Sequence, residues 1–233
     1  MFPLKTLPNA RHTPYLTRCL VLLCILAFAA QWILWTARGV DLAQIYGVVP
    51  RCSLLPSACG ISLRGGAQGW WLPFLVSLFL HGGLLHLAFN MLFLSAFGGG
   101  LEDKIGRFRF LLVYFGGGVA ASAAHIVFHP LSMAPTIGAS GAIAAVLGAY
   151  LVALPKAWVL TYFPPIFFFP VPAPLFLLIW SAGQIYSAFG TWVSPTAQGG
   201  DIAWMAHIGG FAAGAFYGWR LRGRSKTRRA EKV

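Results

Sequence analysis

The sequence predicts an all-α membrane protein, a bundle of six transmembrane helices with both termini in the cytoplasm. Three observations carry this reading. Of 233 residues, 58% are hydrophobic and only 9% are charged, whereas a soluble domain carries about 25% charged residues. The mean hydropathy is +0.72, which makes lipid the main solvent. The apolar residues gather into six runs, and the basic residues gather between alternate runs.

The runs cover residues 16–37, 75–97, 108–128, 138–154, 173–188 and 202–219. Most approach the roughly 20 residues that cross about 30 Å of hydrocarbon. The fourth and fifth are short and predict tilt or local thinning. Each run must be helical, because lipid satisfies no backbone hydrogen bond. The first run is too long for the h-region of a cleavable signal, and no small-residue cleavage site follows it cleanly. It is therefore expected to remain as a span.

Loop charge orients the bundle. One side carries Lys5, Arg11, Arg18, Lys104, Arg107, Arg109 and Lys156, then seven more basic residues from Arg220 to Lys232. The other side carries Arg38, Arg51 and Arg64. Fourteen against three places both termini in the cytoplasm. The same distribution explains the formal net charge of +12 without nucleic acid, since no basic stripe is interleaved with stacking aromatics.

The connections are unequal. Residues 38–74 form a long first loop, rich in Gly, Pro and aromatics, and Trp70 and Trp71 suit its return to the interface. The stretch from Phe163 to Pro174 holds five prolines and cannot be a regular helix. The loop of residues 191–201 is polar, Gly-rich and external. No repeat or second domain is evident. The organisation is a cytoplasmic tail (residues 1–15), a six-span domain (16–219) and a basic cytoplasmic tail (220–233). Cys19 and Cys24 read as small core residues within the first run. Cys52 and Cys59 could form a disulfide if the first loop lies outside the cytoplasm.

Polar groups inside spans are costly and point to function. The second run contains His81, His86 and Asn90; the fourth opens with Gly138-Ala139-Ser140-Gly141; the sixth contains His207. All three runs travel from outside to inside, so these groups share one outer layer. Ser140, Ala144 and Gly148 repeat every four residues, and Gly210, Gly214 and Gly218 follow His207 at +3, +7 and +11. Small-xxx-small faces let helices approach closely. If these faces meet, Ser140 comes into reach of His207, the minimal activated nucleophile.

A lone membrane serine is usually packing, and a lone histidine is often interfacial, as His125 and His129 read here. The joint pattern is what argues for catalysis. No acid is well placed to complete a triad, although Asp41 in the long loop is not excluded. Asp201 lies six residues before His207, and Glu102, Asp103 and Glu231 fall on the cytoplasmic side. A Ser–His dyad still needs oxyanion donors, and His86 and Asn90, four apart on one helix face, are suitable. Metal chemistry is not indicated. His81 and His86 are five apart and off one face, and neither an H-E-x-x-H motif nor an intramembrane aspartate pair is present. No cofactor is expected, and the Gly runs read as helix ends and packing rather than phosphate loops.

Together these motifs resemble the rhomboid family. His81-x4-His86-x3-Asn90 is similar to its second-span signature, and Gly138-Ala139-Ser140-Gly141 to its G-x-S-G nucleophile motif. Ala206-His207-Ile208-Gly209-Gly210-x3-Gly214 is similar to its last-span motif, and the segment from Phe97 through Glu102-Asp103-Lys104 to Phe110 to its link between spans two and three. The likeness covers residues 68–219, with the motifs in family order. Two positions depart from the pattern. Trp71 is followed by Leu72 and Pro73 where the family often has Trp-Arg, and Ala144 stands where a ring often packs on the base.

The resemblance implies an intramembrane serine endopeptidase that needs no cofactor. Ser140 would be the nucleophile, His207 the general base, and His86 and Asn90 oxyanion donors, with His81 and Gly138 in support. The substrates would be transmembrane segments of other proteins, cut near the outer face. Span five would be a movable side gate and residues 191–201 a cap. The alternative is a rhomboid-like protein that binds and escorts membrane proteins. The six-span plan points to a bacterial plasma membrane.

Overall fold

The computed structural model describes residues 1–7, 9–59, 71–193 and 203–230, with side chains described except at 58, 191–193 and 222–230. Trp70, Arg64, Asp201, Glu231, most of the expected cap and most side chains of the C-terminal tail lie outside this set.

The chain opens with strand β1 (Phe2–Leu7) and then helix α1 (Tyr15–Arg38). Helix α1 ends at Gly39, whose φ of 64° lets its N–H reach back to Leu34 and Trp35. The first loop folds into α2 (Leu42–Tyr46), capped by the Asp41 carboxylate at 2.8 Å from Ala43 N, and α3 (Pro50–Leu54). Cys52 and Cys59 are disulfide-bonded. Val48 bridges to Thr136, so this loop leans on the segment that precedes Ser140.

After α4 (Leu72–Val76) and a short turn at Ser77–Phe79 comes α5 (Leu84–Ile105). Then α6 (Arg107–Leu111) continues through a π segment (Leu112–Gly116) into α7 (Gly117–Phe128). Helix α8 (Ser140–Ala153) follows, then strands β2 (Trp158–Phe163) and β3 (Phe167–Pro172), α9 (Ala173–Val193) and α10 (Trp204–Ala230).

Helix α8 is the axis of the bundle. Every residue from Gly141 to Tyr150 is buried, and the core gathers around it from α5, α7, α9 and α10. An unbroken apolar sequence buried on all sides is what a central helix needs. Helix α1 lies at the rim and exposes Leu22, Leu26, Trp32 and Trp35, as a lipid-facing helix does.

Among the described residues, four helices are long and apolar enough to cross a membrane: Tyr15–Arg38, Leu84–Ile105, Arg107–Phe128 and Ala173–Gly190. With its 14 residues, α8 is about 21 Å long at 1.5 Å per residue. The long helix of the second run begins only at Leu84, after Gly82 and Gly83, so residues 75–83 belong to the end of α4, the short turn and the link to α5 rather than to the span.

The all-α expectation omits a three-stranded antiparallel sheet of order β1-β2-β3. Phe2 pairs with Tyr162, and Trp158 pairs with Pro172. The prolines that forbid a helix in this stretch suit an edge strand: Pro170 and Pro172 sit in β3, and Pro3 in the opposite edge. The expected N-terminal tail is thus partly a strand, and Thr6 Oγ1 donates to the Ala96 carbonyl at 3.1 Å.

Candidate active site

Ser140 is the first residue of α8, so its backbone N–H is among those with no intrahelical acceptor. The chain reaches it through Gly138, whose φ of +123° is a conformation L side chains rarely adopt. The Gly138 N–H donates to the Ser77 carbonyl at 2.9 Å, which pins this approach to the turn before α5.

His207 lies in the first turn of α10. Helices α8 and α10 run parallel in backbone contact. A Cβ added to Gly210 would strike the Gly141 carbonyl, one on Gly214 the Ala145 carbonyl, and one on Gly148 the Phe211 carbonyl. The seam therefore runs through Gly141, Ala145 and Gly148: it shares Gly148 with the Ser140–Ala144–Gly148 row that spacing suggests and is otherwise one residue round from it. Carried by this seam, His207 Nε2 sits 2.7 Å from Ser140 Oγ.

Helix α5 supplies the opposite wall. A Cβ on Gly138 would lie 2.8 Å from His86 Nε2 and 3.8 Å from Asn90 Nδ2, so both side chains border the approach to Ser140. The Gly82 N–H points to His86 Nδ1 at 3.4 Å. An N–H can only donate, which leaves the His86 proton on Nε2, toward Gly138. Asn90 is 6% exposed, and its Nδ2 has no hydrogen-bond partner among the described residues. Ser140, His207, His86, Asn90 and Gly138 all line one open cavity of about 1690 Å³.

His81 is buried behind His86, with ring centroids 5.2 Å apart. Its Nδ1 faces the Phe79 carbonyl at 3.1 Å, and its backbone exchanges hydrogen bonds with the Gln31 side chain of α1. The His125 and His129 rings lie 4.7 Å apart, tilted to each other, and also line the cavity.

The described carboxylates are engaged elsewhere. Asp41 caps α2, Asp103 binds His12, and Glu102 accepts from Leu16 N, Thr17 N and Thr17 Oγ1. What meets His207 instead is an amide: Gln184 Oε1 of α9 lies 2.7 Å from His207 Nδ1. Sequence reasoning passed over Gln184, although a polar residue inside an apolar run is the signal that singled out His86 and Asn90. The ring missing at Ala144 is replaced from other helices, since Trp180 and Trp204 lie 6.2 and 6.0 Å from the His207 ring. Among the described residues, no group of three His, Cys, Asp or Glu is gathered to hold a metal ion.

A family model described as the Rhomboid domain matches residues 68–224, a span that holds Ser140, His207, His86, Asn90 and Gln184. The chain belongs to the rhomboid family. The matched rhomboid domain begins just before α4 and ends within α10. Rhomboid protease GluP of Bacillus subtilis is 47% identical over 85 residues, 36% of this chain and 16% of that protein. Putative rhomboid protease YdcA of the same organism is 40% identical over 87 residues, 37% of this chain and 43% of that protein. Rhomboid protein 1, mitochondrial, of Saccharomyces cerevisiae is 32% identical over 154 residues, 62% of this chain and 40% of that protein. The chain thus spans less than half the length of each of these relatives. With its long apolar helices, this rhomboid is a multi-pass integral membrane protein.

Proposed function

We propose that this rhomboid is a serine endopeptidase that cleaves transmembrane segments of other membrane proteins near the outer membrane face, using Ser140 and His207. The observation that carries the reading is the 2.7 Å contact between Ser140 Oγ and His207 Nε2 at the wall of an open cavity. Relatives named as rhomboid proteases support it.

In the proposed reaction Ser140 Oγ gives its proton to His207 Nε2 and bonds to the scissile carbonyl carbon, whose π electrons move to oxygen. The oxyanion accepts from the Ser140 N–H, His86 Nε2–H and Asn90 Nδ2–H. Removing one such donor typically costs 10²–10³ in kcat. When the oxyanion collapses, the C–N bond breaks and His207 protonates the leaving amine. Water then repeats the sequence on the acyl-enzyme and frees Ser140. The substrate helix must unwind at the site, because a helical peptide keeps its carbonyls hydrogen-bonded.

Six spans belong to the same reading: α8 and α10 join the four long apolar helices, with both termini cytoplasmic by loop charge. A bacterial plasma membrane is favoured by the higher identity to the Bacillus relatives, although mitochondrial members share longer stretches. The escort reading predicts binding without hydrolysis. The deciding experiment is Ser140→Ala with a co-expressed transmembrane substrate. Cleavage should vanish while the protein stays folded in the membrane, and undiminished cleavage would end the claim.

A further inference from the structure

We infer that Gln184 of α9 is a positioning residue that fixes the tautomer and orientation of His207. This deepens the Ser140–His207 reading and rests on it. The amide has two ends, and their assignment decides the case. Gln184 Nε2 lies 3.4 Å from the Trp180 carbonyl, one turn back in the same helix. A carbonyl can only accept, so the NH2 end belongs there and the oxygen end faces His207. Gln184 Oε1 in turn can only accept, so the proton of neutral His207 sits on Nδ1, 2.7 Å away. That leaves the lone pair on Nε2, which faces Ser140 Oγ at 2.7 Å. The chain from the Trp180 carbonyl through Gln184 and His207 to Ser140 thus has one consistent set of donors and acceptors.

The other tautomer would turn Nε2–H toward the serine and set Nδ1 against an acceptor. It could not take the Ser140 proton. Gln184 therefore holds the base ready and also receives the Nδ1–H of the imidazolium that proton transfer creates. An amide serves here where the described carboxylates are engaged elsewhere. The Trp180 ring, from the same helix, packs beside His207. Because α9 carries both the acceptor and this ring, the base is oriented only while α9 is packed against α10.

The test compares wild type with Gln184→Leu, which removes the acceptor at similar size, and Gln184→Glu, which keeps an acceptor oxygen. Fluorophosphonate labelling of Ser140, kcat and KM on a transmembrane substrate, and melting in detergent are measured for each. Gln184→Leu should lower kcat and labelling rate about ten- to a hundredfold, with KM within about twofold. Gln184→Glu should recover most of the loss. Unchanged rates in Gln184→Leu, or equal losses in both variants, would overturn the positioning role. A wild type that neither labels nor cleaves would instead overturn the dyad itself. Should Gln184→Leu melt early, Gln184→Met, which keeps the unbranched stem, carries the same comparison.

Discussion

Gly214 of α10 faces the Ala145 carbonyl of α8 so closely that no side chain fits between them. This contact, with its neighbours at Gly210 and Gly148, sets the distance between the helices that carry His207 and Ser140.

Gly214→Val should therefore act at a distance from the chemistry. The added methyls would meet backbone rather than a flexible side chain, so the helices must part. Overpacking of this kind costs about 1–3 kcal/mol. The expected outcome is a lower melting temperature in detergent together with lost probe labelling at Ser140. A variant that melts normally and labels at the wild-type rate would show that the seam does not hold the pair.

Gly138→Ala tests the approach to the nucleophile. The backbone is at φ +123°, and the new Cβ would lie 2.8 Å from His86 Nε2. Adopting so sparsely populated a conformation costs an L-residue about 1–3 kcal/mol, and His86 must also move. Cleavage should fall more than tenfold, while helix content measured by circular dichroism stays unchanged. Cleavage near the wild-type rate would show that the loop relaxes without disturbing the site.

Asn90→Ala separates catalysis from stability. In the free protein the Asn90 Nδ2 donor is buried and has no hydrogen-bond partner among the described residues. The Asn90 side chain lines the cavity, and its Nδ2 bonds to no other described residue, so its loss breaks no internal hydrogen bond from that atom. Melting temperature should change little, whereas kcat should drop about 10²–10³-fold with little change in KM. If kcat holds, the amide does not meet the oxyanion.

The layer of polar groups was legible because lipid makes each of them expensive. Ser140, His86, Asn90 and His207 stand out against apolar runs, and the glycine period before and after them implies close helices. The pairing of Phe2 with Tyr162 was not legible: the prolines of residues 163–174 exclude a helix but do not name a strand partner far away in the chain. Gln184 was legible in principle, by the same rule that flagged Asn90. Of the rings around His207, Trp204 was legible, three residues earlier on the same helix, whereas Trp180 was not, because it arrives from α9.

Glu102 accounts for how the first helix stays on the bundle. Its carboxylate is 4% exposed and accepts from Leu16 N at 3.1 Å, Thr17 N at 2.9 Å and Thr17 Oγ1 at 2.8 Å. Two of these donors belong to the first turn of α1, where backbone N–H groups lack helical partners and a negative charge is favourable. The acceptor thus comes from the end of α5 rather than from a local cap residue, and no local cap bond is present at Pro14. Glu102→Ala would leave those donors and the Thr17 hydroxyl unpaired in a buried place. Each hydrogen bond to a charged group is worth about 1.5–3 kcal/mol, so loss of the set should lower the melting temperature markedly. Glu102→Gln keeps an acceptor oxygen and should lose less. Limited proteolysis near residue 12 should quicken in Glu102→Ala, because α1 is then held mainly by its thin buried stripe of Thr17, Leu20 and Cys24. Equal melting of Glu102→Ala and wild type would mean that this stripe and the Gln31–His81 hydrogen bonds suffice to hold α1.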